Sequence, residues 1–112
     1  MSDANTLYKA AVIGDAASVA GFASLGLSVF TVSPQEGAER VPKLISRLAA
    51  NDFAVIFITE PAAAMAGDTI RKYRSRKLPS IVLIPAVEGN TGEGMRALHE
   101  AVEKAVGSDI LN

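Results

Sequence analysis

Four short apolar runs, each rich in β-branched or aromatic residues, constrain the fold of this chain more than any other feature. They are Leu7–Ile13, Leu27–Val32, Phe53–Thr59 and Ser80–Pro85. The last two are almost continuously apolar, which is typical of parallel strands that helices cover on both faces. The intervals between the runs carry helical patterning. The sequence therefore predicts one Rossmann-like α/β domain, with a four-stranded parallel sheet, helices on both faces and a C-terminal helix.

Capping residues predict where the first two helices begin. Asp15 is placed to cap a helix over about Ala16–Ser24, which Gly26 would end. Ser33, Pro34 and Glu36 in the second interval form a capping box with proline at the first helical position. Pro42 lacks an N–H and clashes with the preceding turn of a helix. The second interval is therefore expected to hold a short turn and then a main helix over about Arg40–Ala50.

Two further helical stretches follow the third and fourth strands. The first begins at Glu60-Pro61 and ends near Arg76, with an interruption expected at Gly67. The second is predicted over about Gly92–Val106. Residues 1–6 are interpreted as a loose leader, residues 7–87 as the α/β domain, and residues 88–112 as a glycine-rich hinge loop with the C-terminal helix.

The composition disfavours catalytic, metal and cofactor chemistry of the chain's own. The 112 residues include no cysteine and a single histidine, so no nucleophile–base set or thiolate metal site can be assembled. No catalytic, cofactor-binding or metal-binding residue is predicted. No apolar run reaches the roughly 18 residues that a membrane span needs. We expect a cytoplasmic protein without direct membrane insertion.

Two glycine-containing turns are candidate anion sites. Gly14 lies where α/β folds place a phosphate loop, but the dinucleotide and P-loop spacings both fail, and Asp15 would repel phosphate. The loop from Gly89 to Gly94 precedes a helix N-terminus, which attracts anions, although Glu88 and Glu93 oppose this. A small nucleotide- or anion-binding regulatory domain therefore remains the alternative function.

The most conspicuous charge feature is a basic cluster after the third strand. Five of the chain's 11 basic residues fall within seven positions: Arg71, Lys72, Arg74, Arg76 and Lys77. The formal net charge of −1 argues against nucleic acid as the partner of so short a cluster. A solvated helix end is the simplest interpretation, and a docking patch for an acidic protein surface, through Arg71 and Arg74, comes next.

The last predicted helix carries an apolar stripe. It consists of Met95, Leu98, Val102 and Ala105, with Val106 beside them. Such a stripe more often packs in a core than binds a partner.

Several segments, in order, resemble the F subunit of the rotary V-type and A-type ATPases (ATP synthases), the prokaryotic forms above all. They are "YKAAVIGDAASVAGFASLGLSVFTV", "FAVIFITE", "LPSIVLIP" and "GNTGEGMRALHEAVEKAVGSDIL". The resemblance runs from about Leu7 to Leu111. Gly37 and Pro42 depart from the plain helix that the family usually has between its second and third strands.

The resemblance implies a non-catalytic rotor subunit of the central stalk. Such a protein binds the coiled-coil D subunit inside the hexamer of A and B subunits, and helps to couple and regulate ATP hydrolysis or synthesis with ion transport. It lies peripheral to the membrane through the complex, and the nucleotide chemistry belongs to A and B. The resemblance also raises a second role for the stripe, as a helix-in-groove surface with the loop before it as a hinge.

Overall fold

Four strands form one parallel sheet at the centre of the chain. The computed structural model describes residues 9–87, 96 and 100–104. The strands are β1 (Lys9–Gly14), β2 (Ser28–Thr31), β3 (Phe53–Thr59) and β4 (Ser80–Ile84). Their order is β2-β1-β3-β4, and every pairing is parallel. The predicted fold class is confirmed, and every strand end lies within two residues of the expected position.

Helices connect the strands, and those before β4 are described in full. They are α1 (Ala16–Val19), continued by a 3₁₀ segment (Ala20–Leu25), then α2 (Pro34–Ala49), α3 (Glu60–Ala64) and α4 (Gly67–Arg74). Residues 96 and 100–104 are helical and belong to the predicted C-terminal helix.

The predicted ends of the first helical interval are confirmed. The Asp15 carboxylate accepts a hydrogen bond from the Ser18 backbone N–H at 3.1 Å, as an N-cap does. Gly26 ends the 3₁₀ segment with a φ of 90°, a left-handed conformation that glycine adopts without a steric penalty.

The prediction of a break near Pro42 was wrong, because α2 runs through it without interruption. The Glu36 carboxylate accepts from the Ser33 backbone N–H at 3.2 Å, so the helix begins where the capping signal places it. Its buried face extends to both sides of the proline: Val41, Leu44, Ile45 and Leu48. This packing offsets the single backbone hydrogen bond that proline removes.

The interruption predicted around Gly67 is confirmed. Helix α3 ends at Ala64, and α4 begins at Gly67 after a two-residue turn. Gly37 of α2 lies against this turn, because a Cβ built at Gly37 would overlap the Met65 Sδ atom. A close approach between α2 and the turn therefore explains the glycine.

Helices cover the sheet on both faces, as predicted. On the first face, α2, α3 and α4 pack against Ala11 and Ile13 of β1 and against Ile56 and Ile58 of β3. The alternate residues of these strands point to the second face, where they meet α1, the 3₁₀ segment and the C-terminal helix. The second-face cluster comprises Val12, Val19, Phe22, Leu27, Phe57, Ile84 and Val102.

Candidate functional site

The crevice between the carboxyl ends of β1 and β3 is the first place to look for a ligand. The strand order reverses there, and open α/β sheets bind ligands at such a point. In this chain, side-chain atoms of the protein itself occupy the crevice. A Cβ on Gly14 would lie 2.5 Å from the Thr59 Cγ2 atom and 3.2 Å from the Val19 Cγ1 atom. Gly14 therefore serves the close packing of two strand ends.

Two buried side-chain hydroxyls at this edge of the sheet accept hydrogen bonds from backbone N–H groups. Thr59 is 1% exposed, and its Oγ1 accepts from the Ala62 backbone N–H at 3.4 Å, capping α3. Ser18 is also buried, and its Oγ accepts from the Val87 backbone N–H at 2.9 Å. The second bond ties α1 to the segment that follows β4.

The candidate anion-binding loop follows Val87 in the sequence. Residues 88–95, with the glycines at 89, 92 and 94, fall outside the described residues, as does His99. The predicted small-anion site and the hinge both stay predictions. Within the ranges that the structure describes, no group of three histidine, cysteine or carboxylate side chains is placed to hold a metal ion.

The basic cluster divides into paired and unpaired cations. Arg71 forms an ion pair with Asp68 one turn earlier in α4. Lys72 and Arg76 lie over the ring of Tyr73, at 5.7 Å and 4.9 Å from its centroid. Of the two predicted contact residues here, Arg71 is thus partly neutralised and Arg74 keeps its charge available.

Only part of the apolar stripe can be placed. Val102 is 4% exposed and packs in the second-face cluster, so in this structure it serves the core. Its neighbours 101, 103 and 104 are exposed. The remaining members of the stripe, Met95, Leu98, Ala105 and Val106, lie outside the described residues.

Sequence reasoning missed an exposed apolar strip along β4. The prediction that this strand is covered on both faces was wrong, because β4 is the last strand of the sheet. The large hydrophobic side chains that are markedly exposed in the described part all belong to this stretch: Leu78 (47%), Val82 (38%), Leu83 (45%) and Val87 (36%). The apolar run was visible in the sequence, but the position of β4 at the end of the sheet was not.

The other edge of the sheet is protected. On β2, Ser28 and Thr31 are exposed, and Val29 and Phe30 are half-buried. Arg40 of α2 donates a hydrogen bond to the Thr31 carbonyl and pairs with Glu36 at 3.2 Å. Polar residues and a covering side chain are ordinary ways of blunting an edge strand, whereas the described part of the chain shows one exposed polar residue on β4, Ser80.

Comparison with known proteins settles the family. The family described as "ATP synthase (F/14-kDa) subunit" matches residues 10–102. The chain is 43% identical to the F subunit of a V-type ATP synthase from Clostridium botulinum (strain Eklund 17B / Type B), over 92% of this chain and 97% of the relative. The chain belongs to the F/14-kDa family of ATP synthase subunits.

Two further relatives support the assignment to the F/14-kDa family. The V-type ATP synthase F subunit of Fusobacterium nucleatum is 41% identical, over 94% of this chain and 97% of its own length. That of Clostridium perfringens is 42% identical, over 92% and 95%. The family match covers all of the sheet except Lys9 and reaches Val102, so it includes part of the C-terminal helix as well as the α/β layers.

None of the helices in the described part of this family member is both long and apolar enough to cross a bilayer.

Proposed function

We propose that this chain is a non-catalytic central-stalk (rotor) subunit of a V/A-type ATPase. In this role it binds the coiled-coil D subunit within the hexamer of A and B subunits, and helps to couple and regulate ATP hydrolysis or synthesis with ion transport. The chain is then an accessory subunit without an active site of its own, on the cytoplasmic side and peripheral to the membrane through the complex.

One observation carries the proposal: identity of 41–43% to V-type ATP synthase F subunits over more than nine-tenths of both chains. Similarity over the full length of both chains favours a shared role in the assembly, rather than a shared fold with a different role. The packing of Thr59 beside Gly14 supports the same conclusion, because it fills the crevice that a nucleotide would use in this kind of sheet.

The contact residues are part of the proposal. Arg74 is an exposed cation suited to an acidic partner, and Arg71 can exchange Asp68 for a partner carboxylate. The stripe with Val102 offers a second surface, but Val102 is buried against Phe22 and its cluster. The stripe would serve a partner after the helix leaves the sheet, whereas the basic cluster is accessible without any rearrangement.

Titration of the purified full-length chain with the coiled-coil D subunit by calorimetry tests the proposal. We expect saturable binding to the coiled coil and no saturable heat with ATP or ADP. An unrelated coiled coil of the same net charge serves as the control, since it would reveal purely electrostatic association.

One result of this titration would contradict the proposed function. Saturable micromolar binding of a nucleotide, with no binding to the D subunit, would favour the small nucleotide- or anion-binding regulator and overturn the stalk assignment.

A further inference from the structure

The β4 strip has the composition of a contact surface. The four exposed apolar residues lie within the ten positions from Leu78 to Val87. Ile81 packs towards the first face of the sheet, so Leu83 points there as well, whereas Val82 points to the second face with Ile84. The strip therefore wraps around the free edge of the sheet.

The β4 strip is long enough for a helix to lie along it. From Leu78 to Leu83 the chain extends by roughly 17 Å at the usual rise per strand residue. That distance corresponds to about three turns of an α-helix laid along the edge. Contiguous exposed apolar residues of this kind mark interaction sites in soluble domains.

The basic cluster continues the strip at its amino end. Arg74, Arg76 and Lys77 are exposed and directly precede Leu78 in the chain. Among the described residues, Arg74 and Lys77 have no ion-pair partner. A surface that covered both features would need apolar residues for the strip and carboxylates for the cations.

The same charges disfavour a second copy of this chain as the occupant. Between residues 67 and 87 the sequence contains one acidic residue, Asp68, and it already pairs with Arg71. Two copies that met through β4 would bring no available carboxylate from this stretch to the cations.

We infer that the β4 edge, formed by Leu78, Val82 and Leu83 together with Arg74 and Lys77, docks a long helix that carries an apolar stripe flanked by acidic residues. The inference rests on the proposed function, which supplies a helical coiled-coil partner, and it assigns that partner to this edge of the sheet. Val102 is then free to keep its place on the second face.

Binding of variants to the purified coiled-coil partner, followed by surface plasmon resonance, tests the inference. Leu83→Asp is expected to raise Kd about 30-fold or more, because it places a charge in the middle of the strip. Leu78→Asp, which precedes the strand, is a second variant with the same expectation. The double variant Arg74→Glu, Lys77→Glu should slow association about tenfold at low salt and flatten the salt dependence.

Ser28→Asp is the matched control, since it adds the same charge to an exposed position on the opposite edge strand. We expect its Kd to stay within about twofold of the wild-type value, as surface substitutions away from a contact do. Thermal melting should show that every variant is folded at the temperature of the binding measurement, because each altered side chain lies at the surface.

The outcomes separate the two proposals. If the wild-type chain binds and the β4 variants bind equally well, the docking inference is wrong and the stalk assignment stands. If the wild-type chain does not bind the coiled coil, both fail.

Sedimentation that shows a wild-type dimer and monomeric β4 variants would assign the edge to self-association. Tight binding of a DNA duplex that Leu83→Asp leaves unchanged would assign the cations to nucleic acid. Either result overturns the inference.

Discussion

Gly14 lies where the ends of β1 and β3 are in closest contact. A Cβ there would come within 2.5 Å of the Thr59 Cγ2 atom and 3.0 Å of its Oγ1 atom. Thr59 is buried and caps α3, so it cannot move aside. We expect Gly14→Ala to lower the free energy of unfolding by about 1–3 kcal/mol, the usual range for overpacking. Urea denaturation measures this change.

Two further variants test whether the contact with Thr59 causes the loss of stability in Gly14→Ala. Gly67→Ala is the control, because its new methyl group would meet nothing closer than the Arg71 Nη1 atom at 3.7 Å. It should leave stability unchanged or raise it slightly. Thr59→Ser removes Cγ2 and should recover part of the loss in the Gly14→Ala background. A Gly14→Ala chain as stable as wild type would mean that the crevice is open, which would revive the nucleotide-binding alternative.

At the scale of elements, Pro42 is the residue that α2 tolerates least easily. It occupies the interior of a 16-residue helix, where its missing N–H leaves the Ala38 carbonyl without its helical donor. We expect Pro42→Ala to raise the free energy of unfolding, by up to about 3 kcal/mol if the ring makes no compensating contacts. Chemical denaturation followed by far-UV circular dichroism measures the gain.

Pro34→Ala in the same helix is the matched control. At the first helical position the N–H has no intrahelical partner, so the same substitution should change stability little. A Pro42→Ala chain that is less stable than wild type would contradict the explanation, and would show that contacts of the proline ring matter more than the lost hydrogen bond.

The sequence predicted whether each element is a helix or a strand better than it predicted how that element packs. Caps at Asp15 and Glu36 are local, so residue spacing located the helix starts. The break predicted at Pro42 failed because the packing of α2 on the sheet, which propensity does not describe, outweighs one lost hydrogen bond. The burial of β4 was mispredicted for a related reason. An apolar run shows that a strand needs covering, but it does not state the order of strands in the sheet.

The candidate surfaces were predictable to a smaller extent. The basic cluster can be recognised in the sequence. The pairing of Arg71 with Asp68 and the exposure of Leu83, however, depend on the fold. Spacing alone placed Val102 on an apolar stripe. Whether such a stripe faces its own sheet or a partner depends on tertiary packing, and Val102 lies in the second-face cluster.

At the scale of the whole molecule, the described part of the chain offers packed surfaces and shows no chemical site. Side chains fill the crevice at the strand ends, and no group of carboxylates among the described residues is placed to hold a metal ion. What stands out instead is an apolar edge beside unpaired cations. The proposed role in the stalk would require contact surfaces of this kind.

Purification of the native assembly through an affinity tag on this chain tests the central claim most directly. The account predicts that a coiled-coil protein and two large ATPase subunits elute with the tagged chain from the source organism. The tag fused to an unrelated domain of similar size is the control, and it should recover none of them. A tagged chain that elutes alone, at the mass of one 11.7 kDa chain plus its tag, would contradict the account.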